Sequence, residues 1–400
     1  MKRYMMHAVI HTICISLLLS GITANYAIAN EAETGLAQNA KSAVLMESST
    51  GQILFEKNSH TKLPPASITK VMSILLIMEA IEAGTISLTD KVTASENASS
   101  MGGSQIFLET NEQMTVKELL TGIAVVSGND ATVALAEYVA GTEAEFVKMM
   151  NKKAAELGMK NTNFTNCHGL PGKDHYTTAY DIAIMSRELL HNYPQITEYT
   201  SIYSDYLRQD TERPLWLVNT NRLIKFYDGA DGLKTGYTGE AKYCLTATAK
   251  RDNLRVIAVV MGEPSSQMRN KEISEMFNYA FSQYKSEPII KKGDVVQQIF
   301  VNKGEQNLVN VIAEEDLLIL LKKNEDSSAY TKEIYLPGKL NAPVSSQEPV
   351  GYITVNNGYT ELARVSLITE QDVQKAGFLK LSARTAEYWF KLQRKAVSFE

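Results

Sequence analysis

Apolar residues run through this chain in two rhythms. From Ser67 to about residue 193 they recur every three or four positions or fill whole segments, as in Val71-Met72-Ser73-Ile74-Leu75-Leu76-Ile77-Met78. That spacing predicts helices. On either side the runs are short and rich in β-branched residues. Segments 43–46 and 53–57 flank Ser49-Thr50-Gly51, and segments 243–249 and 255–260 flank Asp252-Asn253. Both pairs read as hairpins. An amphipathic helix follows over 272–284. The pattern predicts an α+β architecture, a helical lobe packed on an antiparallel sheet built from both ends of one domain.

Composition shifts after Ser286-Glu287-Pro288. Short β-like runs follow at 295–301, 308–313, 317–322 and 332–336. The clearest hairpin is 352–355 with 362–368, around Asn357-Gly358. This predicts a small all-β domain without a catalytic constellation, suited to holding the first domain away from a surface. In the tail, Phe378, Leu381, Trp389, Leu392 and Ala396 fall near one helical face, with Lys380, Arg384, Lys391, Arg394 and Lys395 around it. Such a stripe occurs in helices docked on their own domain and in helices lying in an anionic membrane interface; the basic residues favour the second. The chain opens with Lys2 and Arg3, an apolar stretch over 8–19 and Ala27-Ile28-Ala29, the pattern of an export signal cut after Ala29. The expected organisation is a signal peptide over 1–29, a catalytic domain over 30–286, a β-domain over 287–374 and a membrane-associating amphipathic helix over 375–400.

Composition narrows the possible functions. The 400 residues are 44% hydrophobic and 21% charged, enough for two packed cores. A formal charge of −5 gives no reason to expect nucleic-acid binding. The histidines include no His-Glu-x-x-His, and neither His168 nor His175 has an obvious carboxylate partner at ligand spacing, so no metal or other cofactor is expected. Gly-x-Ser-x-Gly is absent as well. Signal cleavage would remove Cys14 and leave Cys167 and Cys244, expected as free, partly buried thiols.

The chemistry centres on Ser67-Ile68-Thr69-Lys70. Ser59…Lys62 and Ser282…Lys285 share its spacing, but the first lies in polar loop sequence and the second ends a helix before Pro288. Only Ser67 stands where the extended Pro64-Pro65-Ala66 meets an apolar helix. Residues three apart share a helical face, so Lys70 returns to the Ser67 hydroxyl. A lysine acts as a base only when burial or a second cation lowers its pKa, and Lys234 is a candidate for that cation. Alone, Ser67 would be an ordinary helix cap. Two further segments alter that reading. Ser127-Gly128-Asn129 separates two helical stretches and offers a hydroxyl and a carboxamide from a turn. Lys234-Thr235-Gly236 sits on a predicted strand edge, where Gly236 leaves room for an extended peptide to lie alongside.

The match extends to Asn166-Cys167-His168-Gly169-Leu170, Tyr176-Thr177-Thr178-Ala179-Tyr180-Asp181 and the residues around Lys234, from Asp231-Gly232-Leu233 to Tyr237-Thr238. In this order the segments resemble the serine penicillin-binding protein and β-lactamase superfamily. Over 43–284 the chain is similar to the low-molecular-mass D-alanyl-D-alanine carboxypeptidases, most like those of endospore-forming bacteria. The resemblance implies a β-lactamase/transpeptidase-like catalytic domain acting on peptidoglycan stem peptides, with β-lactams as covalent inhibitors. It implies Ser67 as acylated nucleophile, Lys70 as general base, Ser127 as proton relay to the leaving D-alanine and Asn129 as holder of the substrate amide. Lys234 and Thr235 would bind the terminal carboxylate beside Gly236, and the backbone N–H groups of Ser67 and Tyr237 would form the oxyanion hole. An exported enzyme at the outer membrane face or in the wall space is expected. A β-lactamase and a non-hydrolytic penicillin sensor remain as alternatives. The absence of Glu-x-x-Leu-Asn and the presence of a second β-domain count against the former. The intact serine–lysine set counts against the latter.

Overall fold

The computed structural model describes residues 34–397, so the expected export signal lies outside the described residues. Strands Ser42–Glu47 (β1), Ile53–Lys57 (β2), Ala230–Thr238 (β3), Lys242–Arg251 (β4) and Leu254–Glu263 (β5) form one antiparallel sheet in the order β2-β1-β5-β4-β3. Ala43 pairs with Val260 and Lys234 with Thr246, so the two ends of the domain meet in one sheet and β3 is its edge. Strand alternation divides the side chains between two cores. Val44, Met46, Ile257, Val259 and Met261 face the helical lobe. Ala43, Leu45, Val256, Ala258 and Val260 face a second core.

Helices Lys70–Glu82 (α1), Val116–Val126 (α2), Asn129–Ala140 (α3) and Ala179–Asn192 (α4) build the lobe. Every residue of α1 from Lys70 to Met78 is buried, as expected for a helix apolar on all sides. A reciprocal capping box, Thr115 with Glu118, starts α2. The helical expectation fails over 157–178. That stretch is a loop in which Asn166 Oδ1 accepts from the Gly169 N–H at 2.6 Å and Gly169 has φ +89°. Polar side chains there bond the backbone locally and compete with helix formation.

The second core is closed by helix Ser266–Gln283 (α5) through Ile273, Met276 and Phe277. Its start precedes the apolar pattern because Ser265 caps it, accepting from the Met268 N–H. The Glu272 carboxylate accepts from the N–H and Nδ2 of Asn39 and the N–H of Ala40, fixing the amino-terminal segment on this side. The sheet is therefore covered on both faces.

Strand Tyr284–Ile290 follows α5 directly, pairs with Leu317–Lys322 and carries Pro288 on an edge. The sequence pattern gave no sign of it. The other predicted β runs join a six-stranded sheet around Val301, Val311, Val355 and Leu367. The predicted hairpin is present as Gly351–Asn357 and Thr360–Thr369, closed by the pair Asn357–Thr360. Helix Phe378–Val397 (α6) ends the described chain. Its base is tied to the β-domain by polar contacts. Gly377 N–H and Lys380 donate to the Glu305 carboxylate, and Arg384 donates to the carbonyls of Gly304 and Glu305. Phe378 and Leu379 remain 82% and 83% exposed. Among the described residues no helix is long and apolar enough to cross a membrane.

Candidate active site

Ser67 lies in a 3-10 turn, Ala66–Thr69, that leads into α1. The sequence predicted an ordinary helix start there. The tighter turn does more, because three residues per turn places positions i and i+3 in line. Lys70 Nζ thus stands 3.1 Å from Ser67 Oγ. Two acceptors fix the amine in that position: Asn129 Oδ1 and the His168 carbonyl, each at 2.6 Å. The turn itself is braced from behind. Thr69 Oγ1 donates to the Ala66 carbonyl, and a β-carbon on Gly169 would fall 2.0 Å from that oxygen, so only glycine fits at 169.

Lys70 is fully buried at the head of an apolar helix. Desolvation lowers its pKa to about 7, while Cys167 and Asp130 pull weakly the other way. Lys234, expected to be solvated if it were an ordinary edge lysine, is buried too. Its pKa falls well below the usual lysine range through burial, then through the like charges of Lys70 and Arg269. Lys234 Nζ donates to the Thr235 carbonyl at 3.2 Å, which leaves donors for a ligand.

Ser127 ends α2 in the left-handed conformation, φ 67°. That geometry costs a non-glycine residue about 1–2 kcal/mol. Its hydroxyl is buried and has no hydrogen-bond partner among the described residues. A buried unpaired hydroxyl in a strained turn makes Ser127 a candidate functional residue. The turn is held by Asp130, whose carboxylate accepts from the backbone N–H groups of Ile106, Leu108 and Ala131. Asn129 uses its oxygen on Lys70 and one amide N–H on the Gly102 carbonyl at 2.6 Å, leaving its second N–H for a substrate.

These elements converge on a cleft of 490 Å³ lined by Ser67, Ser127, Thr235, Gly236 and Tyr237. Strand β3 can approach the nucleophile because residue 236 is glycine; a β-carbon there would stand 3.1 Å from the Ser67 nitrogen. The cleft therefore brings together Ser67, Ser127 and the edge from Thr235 to Tyr237, with Lys70, Asn129 and Lys234 packed behind it. Sequence reasoning missed Arg269, which lines the far wall although it lies on α5, and Asp130 and the His168 carbonyl, which position the site without lining it. Arg269 belongs to no local motif; His168 lies in the matched Asn166-Cys167-His168-Gly169-Leu170 segment and Asp130 directly follows Asn129, but neither segment shows which atom reaches the site.

Two expectations need correction. His168 has a carboxylate beside it, since its Nε2 lies 3.4 Å from Glu143 Oε1 across the fold. Burial lowers the imidazole pKa to about 4, so it is neutral at physiological pH. Cys167 and Cys244 are free but fully rather than partly buried, and desolvation raises both thiol pKa values. The serines of the two decoy pairs are committed elsewhere: Ser59 donates to Glu56 and Ser282 to the Tyr279 carbonyl. Among the described residues no cluster of His, Cys, Asp and Glu could hold a metal ion.

Comparison with known proteins gives matches over both domains. Residues 28–265 match the family model described as D-alanyl-D-alanine carboxypeptidase, peptidase S11, and residues 284–375 match the penicillin-binding protein 5 C-terminal domain. The D-alanyl-D-alanine carboxypeptidase DacF of Bacillus subtilis is 51% identical over 90% of this chain and 92% of its own length. The structure of penicillin-binding protein 5 from Haemophilus influenzae superposes with a TM-score of 0.67 at 32% identity, covering 84% of this chain and 98% of that one. Penicillin-binding protein D2 from Listeria monocytogenes in its ampicillin-bound form covers 61% of this chain and 98% of that one, with a TM-score of 0.55 and 30% identity. A serine and a buried amine at the head of α1, facing the open edge of β3, and matches spanning both domains identify the chain as a member of the peptidase S11 family of D-alanyl-D-alanine carboxypeptidases.

Proposed function

We propose that this protein removes the terminal D-alanine from peptidoglycan stem peptides through an acyl-enzyme on Ser67. The observation that carries the reading is a fully buried Lys70 amine 3.1 Å from the Ser67 hydroxyl with a pKa near 7. Such an amine is a base at neutral pH.

In the proposed reaction the substrate lies along β3 with its terminal carboxylate at Lys234 and Thr235, and Arg269 adds positive charge at that end. The carboxylate also favours the protonated form of Lys234. Lys70 takes the Ser67 proton as Oγ attacks the penultimate D-alanine carbonyl. The N–H groups of Ser67 and Tyr237, a helix start and a strand edge, hold the developing oxyanion. As the C–N bond breaks, the leaving D-alanine nitrogen receives a proton through the Ser127 hydroxyl, and the peptide remains on Ser67 as an ester. Water then cleaves that ester. Penicillin acylates the same hydroxyl.

Mass spectrometry after benzylpenicillin treatment should find one adduct, on the peptide containing Ser67. The untreated protein should release D-alanine from diacetyl-lysyl-D-alanyl-D-alanine. An adduct that survives Ser67→Ala would overturn the assignment, and rapid nitrocefin turnover without D-alanine release would favour a β-lactamase.

The same reading extends to location. The protein is exported, and α6 rests on an anionic membrane surface with the β-domain as spacer. Exposed Phe378 and Leu379 beside a polar tether to Glu305 support this, since a helix docked on its own domain would cover them. The protein should sediment with anionic vesicles, with partial release by high salt. Truncation after Ala376 should abolish sedimentation and leave soluble-peptide hydrolysis intact. Vesicle binding that persists without the tail would refute the role of α6.

A further inference from the structure

An unprotonated lysine amine has two N–H donors and one lone pair. At Lys70 the Asn129 Oδ1 and the His168 carbonyl, each 2.6 Å away, take the two donors. The remaining direction, toward Ser67 Oγ at 3.1 Å, is left to the lone pair. The aim of the base therefore depends on where the His168 carbonyl stands.

That carbonyl belongs to a loop whose backbone is tied at several atoms. Asn166 Oδ1 accepts from the N–H groups of His168 and Gly169 at 3.3 and 2.6 Å. The Cys167 carbonyl accepts from Ser73 Oγ at 2.5 Å. These ties come from the loop itself and from α1, which also carries Lys70. Another comes from a different helix, Glu143–Glu156, capped by Thr142. Glu143, its first residue, has a side chain only 22% exposed. Its Oε1 accepts from the Cys167 N–H at 3.2 Å and lies 3.4 Å from His168 Nε2. His168 Nδ1 accepts from the Leu170 N–H at 3.2 Å, which places the ring proton on Nε2, facing that oxygen. A glutamate in a first turn gains from the helix dipole while still in water. Glu143 turns inward instead, and one oxygen meets both the backbone of 167 and the side chain of 168.

We propose that Glu143 is a positioning residue for acylation: by holding the Cys167 N–H and the His168 ring, it keeps the His168 carbonyl on Lys70 and the lone pair of that amine on Ser67. This rests on the carboxypeptidase reading above, in which Lys70 is the base. Glu143 does not line the cleft, so it acts only through the loop. Without it the carbonyl shifts, and two effects follow. The lone pair is no longer aimed, so acylation slows although the reagent still binds. The ammonium form loses an acceptor while the amine stays buried, so the pKa of Lys70 falls further.

The test measures benzylpenicillin acylation of the full chain against concentration and pH, with the unfolding midpoint in parallel. For Glu143→Ala the saturating rate should fall about 10- to 100-fold, the scale of a misplaced catalytic group. The concentration giving half that rate should stay the same, and the pH midpoint of the rate should move down. Glu143→Gln keeps an oxygen for the Cys167 N–H and should restore most of the rate. Glu143→Asp keeps the charge but withdraws the oxygens by one methylene; it should lose rate in the same direction, which covers an alanine variant that does not fold. Asn151 is the control for loosening the loop. It lies on the same helix but pairs with the Phe164 carbonyl and N–H, at 2.8 and 2.9 Å. Asn151→Ala should lower the unfolding midpoint and leave the pH midpoint of acylation in place. An unchanged rate in both Glu143→Ala and Glu143→Asp overturns the positioning role alone. So does a pH midpoint that rises toward the ordinary lysine range, or an equal change in Asn151→Ala. An unaltered protein whose acylation shows no fall toward acid pH overturns the base reading beneath it.

Discussion

The two halves of the molecule bury polar groups very differently. The catalytic half buries Lys70, Asp130, Lys234 and Arg269 around one cleft, together with the unpaired Ser127 hydroxyl. In the β-domain the buried polar residues among those described are only Thr354 and Thr369. Burying a charge costs several kcal/mol unless it is paired, and the catalytic half also meets that cost away from the cleft, at Glu47, Asp181, Glu263 and Glu272. The β-domain obeys the rules of packing alone. It can act as a spacer, and the cost of reactivity falls on the other half.

That contrast can be broken most severely at Lys70. Lys70→Arg keeps the charge and the length but installs a group that stays protonated. Acylation by benzylpenicillin should fall by about 10³-fold or more, the scale of a lost general base. Near-normal acylation, followed by mass spectrometry, would remove Lys70 from the base role.

A pH profile tests the same point with a smaller effect. The base form of Lys70 is the unprotonated amine, and its pKa is lowered to about 7 by burial. Below that pH the acylation rate should fall about tenfold per unit, and above it the rate should level off. A rate that rises only near the ordinary lysine range would show that burial does not tune this amine.

The smallest effect on chemistry is expected from the β-domain. Ile319 is fully buried there, and Ile319→Ala should destabilise that domain by about 2–5 kcal/mol, read as a lower unfolding midpoint. Acylation of Ser67 should be unchanged. A matching fall in acylation would mean that the two halves are coupled rather than merely joined.

Much of this was legible in the chain because the signals are local. The hairpin at Ser42–Glu47 and Ile53–Lys57, the helices on both sides of Ser127, and the turn at Asn357-Gly358 follow from periodicity and turn chemistry over a few residues. The Ser67 and Lys70 pair was legible because its spacing is one helical turn. What misled was equally physical. Residues 157–178 contain enough apolar positions to resemble helix, yet their Asn, Thr and Gly residues favour a loop. Tyr284–Ile290 contains a proline and looked like a break, although an edge strand tolerates it.

The sequence by itself determined most of the order of elements, the candidate reactive groups and the spacing that aligns a hydroxyl with an amine. Only the tertiary structure decided that the amine is buried and its pKa lowered. The desolvation of Lys70 comes from an apolar helix enclosed by its neighbours, and its position is fixed by an oxygen 59 residues away and a carbonyl 98 residues away. Arg269 enters the cleft from a helix on the far face of the sheet, β3 meets the nucleophile only because residue 236 is glycine, and the loop behind the nucleophile turn reaches the Ala66 carbonyl only because residue 169 is. Burial and contact between distant segments are properties of the packed chain, and no local window of residues contains them.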